Sequence, residues 1–223
     1  MTETNILIHG FGGHIGETQY LSDYLRTRGL ATHDIALAGH GKARRELVAT
    51  THKDWIESAR AEVARLLCEY ERVNLIGFSM GGLISAHLAM EFGAQRVGKI
   101  VFINTPIYFW NPKIIARDII SRDREKIEYY KKSIRNTTGR PTMEFLRMLS
   151  RSKRMFSDAL PPSLVLQCMD DESVRHKSAA YIKERIGECA MLKYYDGGCH
   201  TVLMQDGELR EVVCKDVYGF VSI

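Results

Sequence analysis

The apolar and polar positions of this chain follow two alternating periods. Residues 5–8, 32–37, 73–76, 99–104, 163–168 and 190–194 are short apolar or β-branched runs, the pattern of strands. Residues 17–28, 52–70, 178–186, 208–220 and the stretch from Met80 onward repeat their apolar positions at helical spacing. In the second of these helices the stripe runs through Trp55, Ala59, Val63, Leu66 and Leu67, and in the first Gly29 supplies the stop. Strands that alternate with helices predict a mostly parallel sheet with helices on both faces.

The alternation stops after residue 104. Residues 107–157 contain helical stretches at 112–121, 122–134 and, after the breaker Gly139-Arg140-Pro141, 142–149, but no buried strand. The expected division is a core of 1–106 and 158–223 with 107–157 inserted. Composition sharpens this division. The insertion carries 13 Lys and Arg against 5 Asp and Glu, a net +8 in a chain of net +4, and 7 of its residues are aromatic. A helical, aromatic insertion placed after a strand end reads as a lid over a pocket. Its candidate lining residues are Tyr108, Trp110, Ile119, Tyr130 and Leu146, with Gly12 from the core. The positive charge fits an anionic substrate or membrane surface, or simply the solvated outer face of the lid helices.

With 223 residues the chain can bury one sizeable core, and it holds no apolar run near the roughly 20 residues that span a bilayer. Strand pattern begins almost at Met1, leaving no room for a leader, so the expectation is a cytoplasmic protein without membrane insertion, either monomer or homodimer. Five cysteines without regular spacing predict reduced thiols, and eight dispersed histidines give no metal-ligand pattern. Neither metal nor cofactor is expected. The basic segment has no accompanying nucleic-acid motif.

The candidate chemistry starts at Gly77-Phe78-Ser79-Met80-Gly81, between a strand and a helix. This is the GxSxG pattern of a nucleophile elbow, in which a sharp turn exposes a serine at a helix N-terminus. A serine needs a base, and His200, directly after the last strand, has the right chemistry. The carboxylate that orients such a histidine belongs after the preceding strand, where Asp170 and Asp171 both lie. His9-Gly10-Phe11-Gly12-Gly13 after the first strand has two readings. A dinucleotide loop would need a third glycine at Ile15 and would use Asp34; an oxyanion loop needs only a backbone N–H, and GxSxG favours it. His9 and His14 read as bracing and helix-start residues.

Together these motifs, with Gly39-His40-Gly41, Gln167 to Val174 and Gly198-Cys199-His200, resemble the α/β-hydrolases, in particular small bacterial carboxylesterases and monoacylglycerol-lipase-like members. The resemblance implies an α/β-hydrolase fold lacking the usual antiparallel edge hairpin. It also implies Ser79 as nucleophile, His200 as base and an oxyanion hole from the Phe11 and Met80 N–H groups. An aliphatic residue often follows the family's acid by three places, which selects Asp171, with Val174, over Asp170. The expected activity is hydrolysis of small esters with short or medium acyl chains, or of monoglycerides, through an acyl-enzyme. The same residues serve thioesterases, amidases and carbon–carbon bond hydrolases, and a receptor without turnover is the alternative of another class.

Overall fold

The computed structural model describes residues 3–121, 124, 127, 128, 131 and 137–222. Six parallel strands form one sheet in the order β2-β1-β3-β4-β5-β6: β1 Glu3–Ile8, β2 Thr32–Ile35, β3 Arg72–Phe78, β4 Val97–Ile103, β5 Ser163–Cys168 and β6 Ala190–Tyr195. Both faces are buried, and the period of two sorts their side chains. Ile6, Ile8, Leu75, Ile100, Phe102 and Val165 enter one core, while Leu7, Ile76, Phe78, Val101, Ile103 and Leu166 enter the other.

On the first face lie α3 (His52–Leu66), α4 (Met80–Phe92) and α7 (Lys177–Ile186); on the second, α1 (Gln19–Arg26) and α8 (Glu208–Val221). Helix α4 is buried nearly all round, as its lack of a polar stripe requires. A short helix, α2 (Arg44–Ala49), falls where only a turn and loop are expected, and it buries Leu47 alone. Between β4 and β5 come α5 (Pro112–Ile120) and α6 (Arg140–Ser152). Helix α6 begins at the residues read as a breaker, because Pro141 stands in its first turn, where a missing N–H costs nothing. Phe145, Met148, Leu149 and Phe156 of the inserted segment are buried in the first core, so α6 is packed on α4 and α3 rather than set apart from them. Most of the expected 122–134 helix, and Tyr130, lie outside the described residues. Among the described residues no helix is long and apolar enough to cross a membrane.

The chain runs from β1 to β2 on one side and returns to place β3 on the other. The crevice at this switch point, beyond the strands' C-terminal ends, is where an open parallel sheet binds ligands. The loop after β1 and the turn after β3 both open onto it.

Candidate active site

β3 ends at Phe78 and α4 starts at Met80, so Ser79 alone makes the turn. Its backbone is at φ 52° and ψ −119°, a conformation that costs a non-glycine residue about 1–3 kcal/mol. Two hydrogen bonds hold it there, from its N–H to the Ile103 carbonyl at 2.8 Å and from the Gly82 N–H to its own carbonyl at 3.0 Å. The flanking glycines are steric necessities. A Cβ on Gly77 would lie 2.4 Å from the Gly81 carbonyl carbon, and one on Gly81 would lie 2.0 Å from the Ile8 carbonyl oxygen. The serine is buried, at a helix N-terminus where developing negative charge is stabilised.

The hydroxyl of Ser79 reaches His200 Nε2 at 2.9 Å, and His200 Nδ1 reaches Asp171 Oδ2 at 2.8 Å. Asp171 is fully buried, and its Oδ1 accepts the N–H groups of Ser173 at 2.8 Å and Val174 at 2.7 Å. Val174 is itself buried and pairs with Phe109, which anchors the turn. Asp170 faces outward and pairs with Arg117 at 3.1 Å. The three residues thus form one hydrogen-bonded relay that fixes the imidazole tautomer with its proton on Nδ1. Burial alone would depress His200, but the Asp171 carboxylate, with Glu172 and Glu17 behind it, outweighs burial and raises its pKa to about 9. His9 cannot compete as a base: burial lowers it to about 3, and its ring braces the loop by bonding the Gly10 carbonyl and accepting the Leu37 N–H. His14 starts a 3-10 turn, accepting the Gly16 N–H. Asp34 is spent on Thr18 and Ser22, which removes it as a ribose ligand.

Three further residues complete the surroundings, and none announces itself in the sequence. Glu172 accepts the His200 N–H at 3.1 Å, and Glu17 accepts the Gly10 N–H at 2.8 Å; burial pushes both carboxyls up. Asn104, fully buried at φ 47°, donates to the His200 carbonyl at 2.9 Å and accepts the Cys168 N–H at 2.9 Å, tying β4, β5 and the histidine loop together. Aspartate followed by glutamate, and an asparagine at a strand end, were the only available signals.

A cavity of about 240 Å³ opens beside Ser79 and His200. Phe11, Phe78, Phe109, Trp110, Ile115, Ile119 and Phe145 give it apolar walls, and Glu17, Glu172 and Thr201 give it a polar end. Phe11 is stacked on Phe145 of α6, with ring centroids 4.8 Å apart. Among the described residues, no hydrogen bond engages the N–H of Phe11 or Met80. Of the pocket residues expected from sequence, Trp110 and Ile119 line this cavity. Tyr108 does not; its ring packs on Tyr181 between Lys153 and Lys177. Leu146 is turned to the outer surface of α6, in a shallow groove with Met143 and Arg147, because the inner face of that helix is taken by Phe145 and Leu149. Gly12, at φ 69°, abuts Thr137 rather than the cavity.

Residues 6–118 match the family described as alpha/beta hydrolase fold, and the chain belongs to it. It is similar to a carboxylesterase of Bacillus subtilis (strain 168), with 28% identity over 97% of this chain and 91% of the relative. A thermostable monoacylglycerol lipase of Bacillus sp. (strain H-257) is 24% identical over 81% of this chain and 75% of its own. Among solved structures, one from work on the metagenome-derived lipolytic enzymes LipS and LipT superposes with a TM-score of 0.80 at 18% identity, covering 99% of this chain and 94% of the other.

Proposed function

We propose that the protein is a serine esterase that cleaves small carboxylic esters through an acyl-enzyme. The observation that carries this reading is the relay from Ser79 through His200 to Asp171, at 2.9 and 2.8 Å, ending in an apolar cavity. His200 Nε2 takes the Ser79 proton as the hydroxyl oxygen attacks the ester carbonyl. Asp171 stabilises the resulting imidazolium. The N–H groups of Phe11 and Met80 hold the oxyanion, which is worth about 3–4 kcal/mol per donor in sites of this kind. The imidazolium then protonates the departing alcohol, and a water activated by the same nitrogen releases the acid. The similarity to a carboxylesterase and a monoacylglycerol lipase supports ester substrates over other acyl compounds. A cavity of about 240 Å³ is small beside the usual 300–1,000 Å³ of ligand sites, which favours short or medium acyl chains. The insertion acts as the lid, since Trp110, Ile115, Ile119 and Phe145 supply much of the apolar wall.

The test is intact mass after exposure to a fluorophosphonate, followed by hydrolysis of p-nitrophenyl esters of graded acyl length. One adduct per chain, absent in Ser79→Ala, together with turnover of the short esters, is the expected result. A folded wild type that takes no adduct would remove the proposal.

A further inference from the structure

Helix α6 is tied to α3 by a buried polar cluster that the relay does not use. It joins His52, the first residue of α3, to Glu144 near the start of α6, and both side chains are buried. Glu144 Oε2 meets His52 Nδ1 at 2.6 Å and accepts the His52 backbone N–H at 3.3 Å. Arg151 donates to His52 Nε2 at 2.9 Å, and a guanidinium can only donate, so the ring carries its proton on Nδ1, aimed at the carboxylate. Arg147 donates to Glu144 Oε1. Every polar atom of the pair thereby has a partner, the condition under which burying it is tolerated.

The same two helices enclose the Phe11 ring. Trp55, one turn after His52, lies 5.6 Å from it between centroids, and Phe145, the residue after Glu144, stacks on it at 4.8 Å with planes 10° apart. Phe11 stands between Gly10 and Gly12, the latter at φ 69°, so the loop has little backbone preference of its own and takes its direction from where the ring is held. Resting on the serine-esterase reading and its oxyanion donors, we propose that the Glu144–His52 pair is a positioning latch: it holds α6 against α3, closes Trp55 and Phe145 on the Phe11 ring, and so keeps the Phe11 N–H aimed at the oxyanion. A donor fixed in advance needs no reorganisation as charge develops.

The experiment reads kcat and KM for p-nitrophenyl butyrate, and the second-order rate at which a fluorophosphonate labels Ser79. The samples are wild type, Glu144→Ala, Glu144→Gln, Phe11→Ala and the double variant Glu144→Ala/Phe11→Ala, with active sites counted by the label at completion. Removing an oxyanion donor outright costs about 10²–10³ in kcat, so one left in place but unheld should cost about tenfold in Glu144→Ala, with KM moved by less than about threefold. Labelling should slow in parallel. Glu144→Gln keeps an oxygen for His52 and should recover most of the loss. Once the Phe11 ring is gone the latch has nothing to hold, so the double variant should match Phe11→Ala, whereas independent effects would multiply. Ser152→Ala cuts the 3.0 Å bond from His87 to the far end of α6; it should lower the urea midpoint and leave kcat intact. Multiplying losses, an equal loss of kcat in Ser152→Ala, or Glu144→Ala with wild-type kcat each overturn the proposal. Where Glu144→Ala does not fold, His52→Phe breaks the same bond and keeps the ring volume, and it must show the same loss and the same coupling to Phe11. If Ser79 is labelled but no ester is turned over, the ester reading falls, and the labelling rates alone decide the latch.

Discussion

Replacing Asp171 with asparagine changes one atom and tests the relay at its buried end. In the wild type, Oδ1 accepts two backbone N–H groups at 2.8 and 2.7 Å, and Oδ2 accepts from His200 at 2.8 Å and Gln167 at 3.3 Å. An amide can keep only one of these oxygens. Turning its NH₂ toward Ser173 and Val174 would orphan two buried donors, at about 1–3 kcal/mol each. The oxygen therefore stays on the turn, and the NH₂ faces His200 Nδ1. A donor there forces the imidazole proton onto Nε2, where it points at Ser79 and cannot accept the serine's proton. The expected loss is about 10⁴ in kcat, or ~5.5 kcal/mol of barrier, with KM little changed. Because the turn keeps its backbone bonds, urea unfolding should move by less than about 2 kcal/mol. The assay is steady-state hydrolysis of p-nitrophenyl butyrate beside an unfolding curve on the same sample. A folded Asp171→Asn within tenfold of wild type would refute the reasoning, as would an equal loss in Asp170→Asn.

Further outcomes follow from the same contacts. kcat/KM should rise as pH climbs toward the His200 pKa of about 9, since only the neutral imidazole accepts a proton, and Glu172→Gln should move that limb to lower pH by removing a raising charge; a pH–rate profile with an unmoved limb contradicts this. The sign for stability is opposite. A histidine raised from 6.5 to about 9 contributes stability that is fully present below 6.5 and lost as pH rises through 9, which urea midpoints across that range will show. Asn104→Ala leaves the Cys168 N–H and the His200 carbonyl unpaired in the interior and should cost about 2–4 kcal/mol in urea unfolding. Gly81→Ala drives a methyl into the Ile8 carbonyl oxygen, and recovery of soluble, fluorophosphonate-reactive protein at wild-type yield would contradict that.

The inner strands β1, β3, β4 and β5 were legible because they are buried on both faces and carry short apolar runs. β5 falls where expected to the residue. The turn at Ser79 was legible for another reason: two different periods meet at a glycine-flanked serine, and few other geometries use that pattern. α2 was invisible because one buried leucine makes no stripe. α6 was dated two residues late because a proline in a first turn and a proline that breaks a helix look the same in one dimension. Glu17, Glu172 and Asn104 escaped for a third reason. Isolated polar residues default to the surface, and only the folded chain shows that each holds a backbone group beside His200 or Ser79. Tyr108 and Leu146 erred the other way, since apolar character on an insertion does not tell which side of it faces in.

The start of the insertion is laced to the turn that carries Asp171. Trp110 donates its N–H to the Ser173 carbonyl at 2.6 Å, Asn111 donates to Glu172 at 3.0 Å, and Arg175 donates to Tyr108 at 3.0 Å. This lacing marks where the gene can be cut. An exchange of the inserted segment for a longer or shorter one from another hydrolase has its safe upstream seam after Asn111. A seam at Ile107 would carry away the strand-like partner of the acid turn and so alter the chemistry along with the pocket. Recombination that diversifies substrate range while sparing catalysis is confined to the downstream side of that joint.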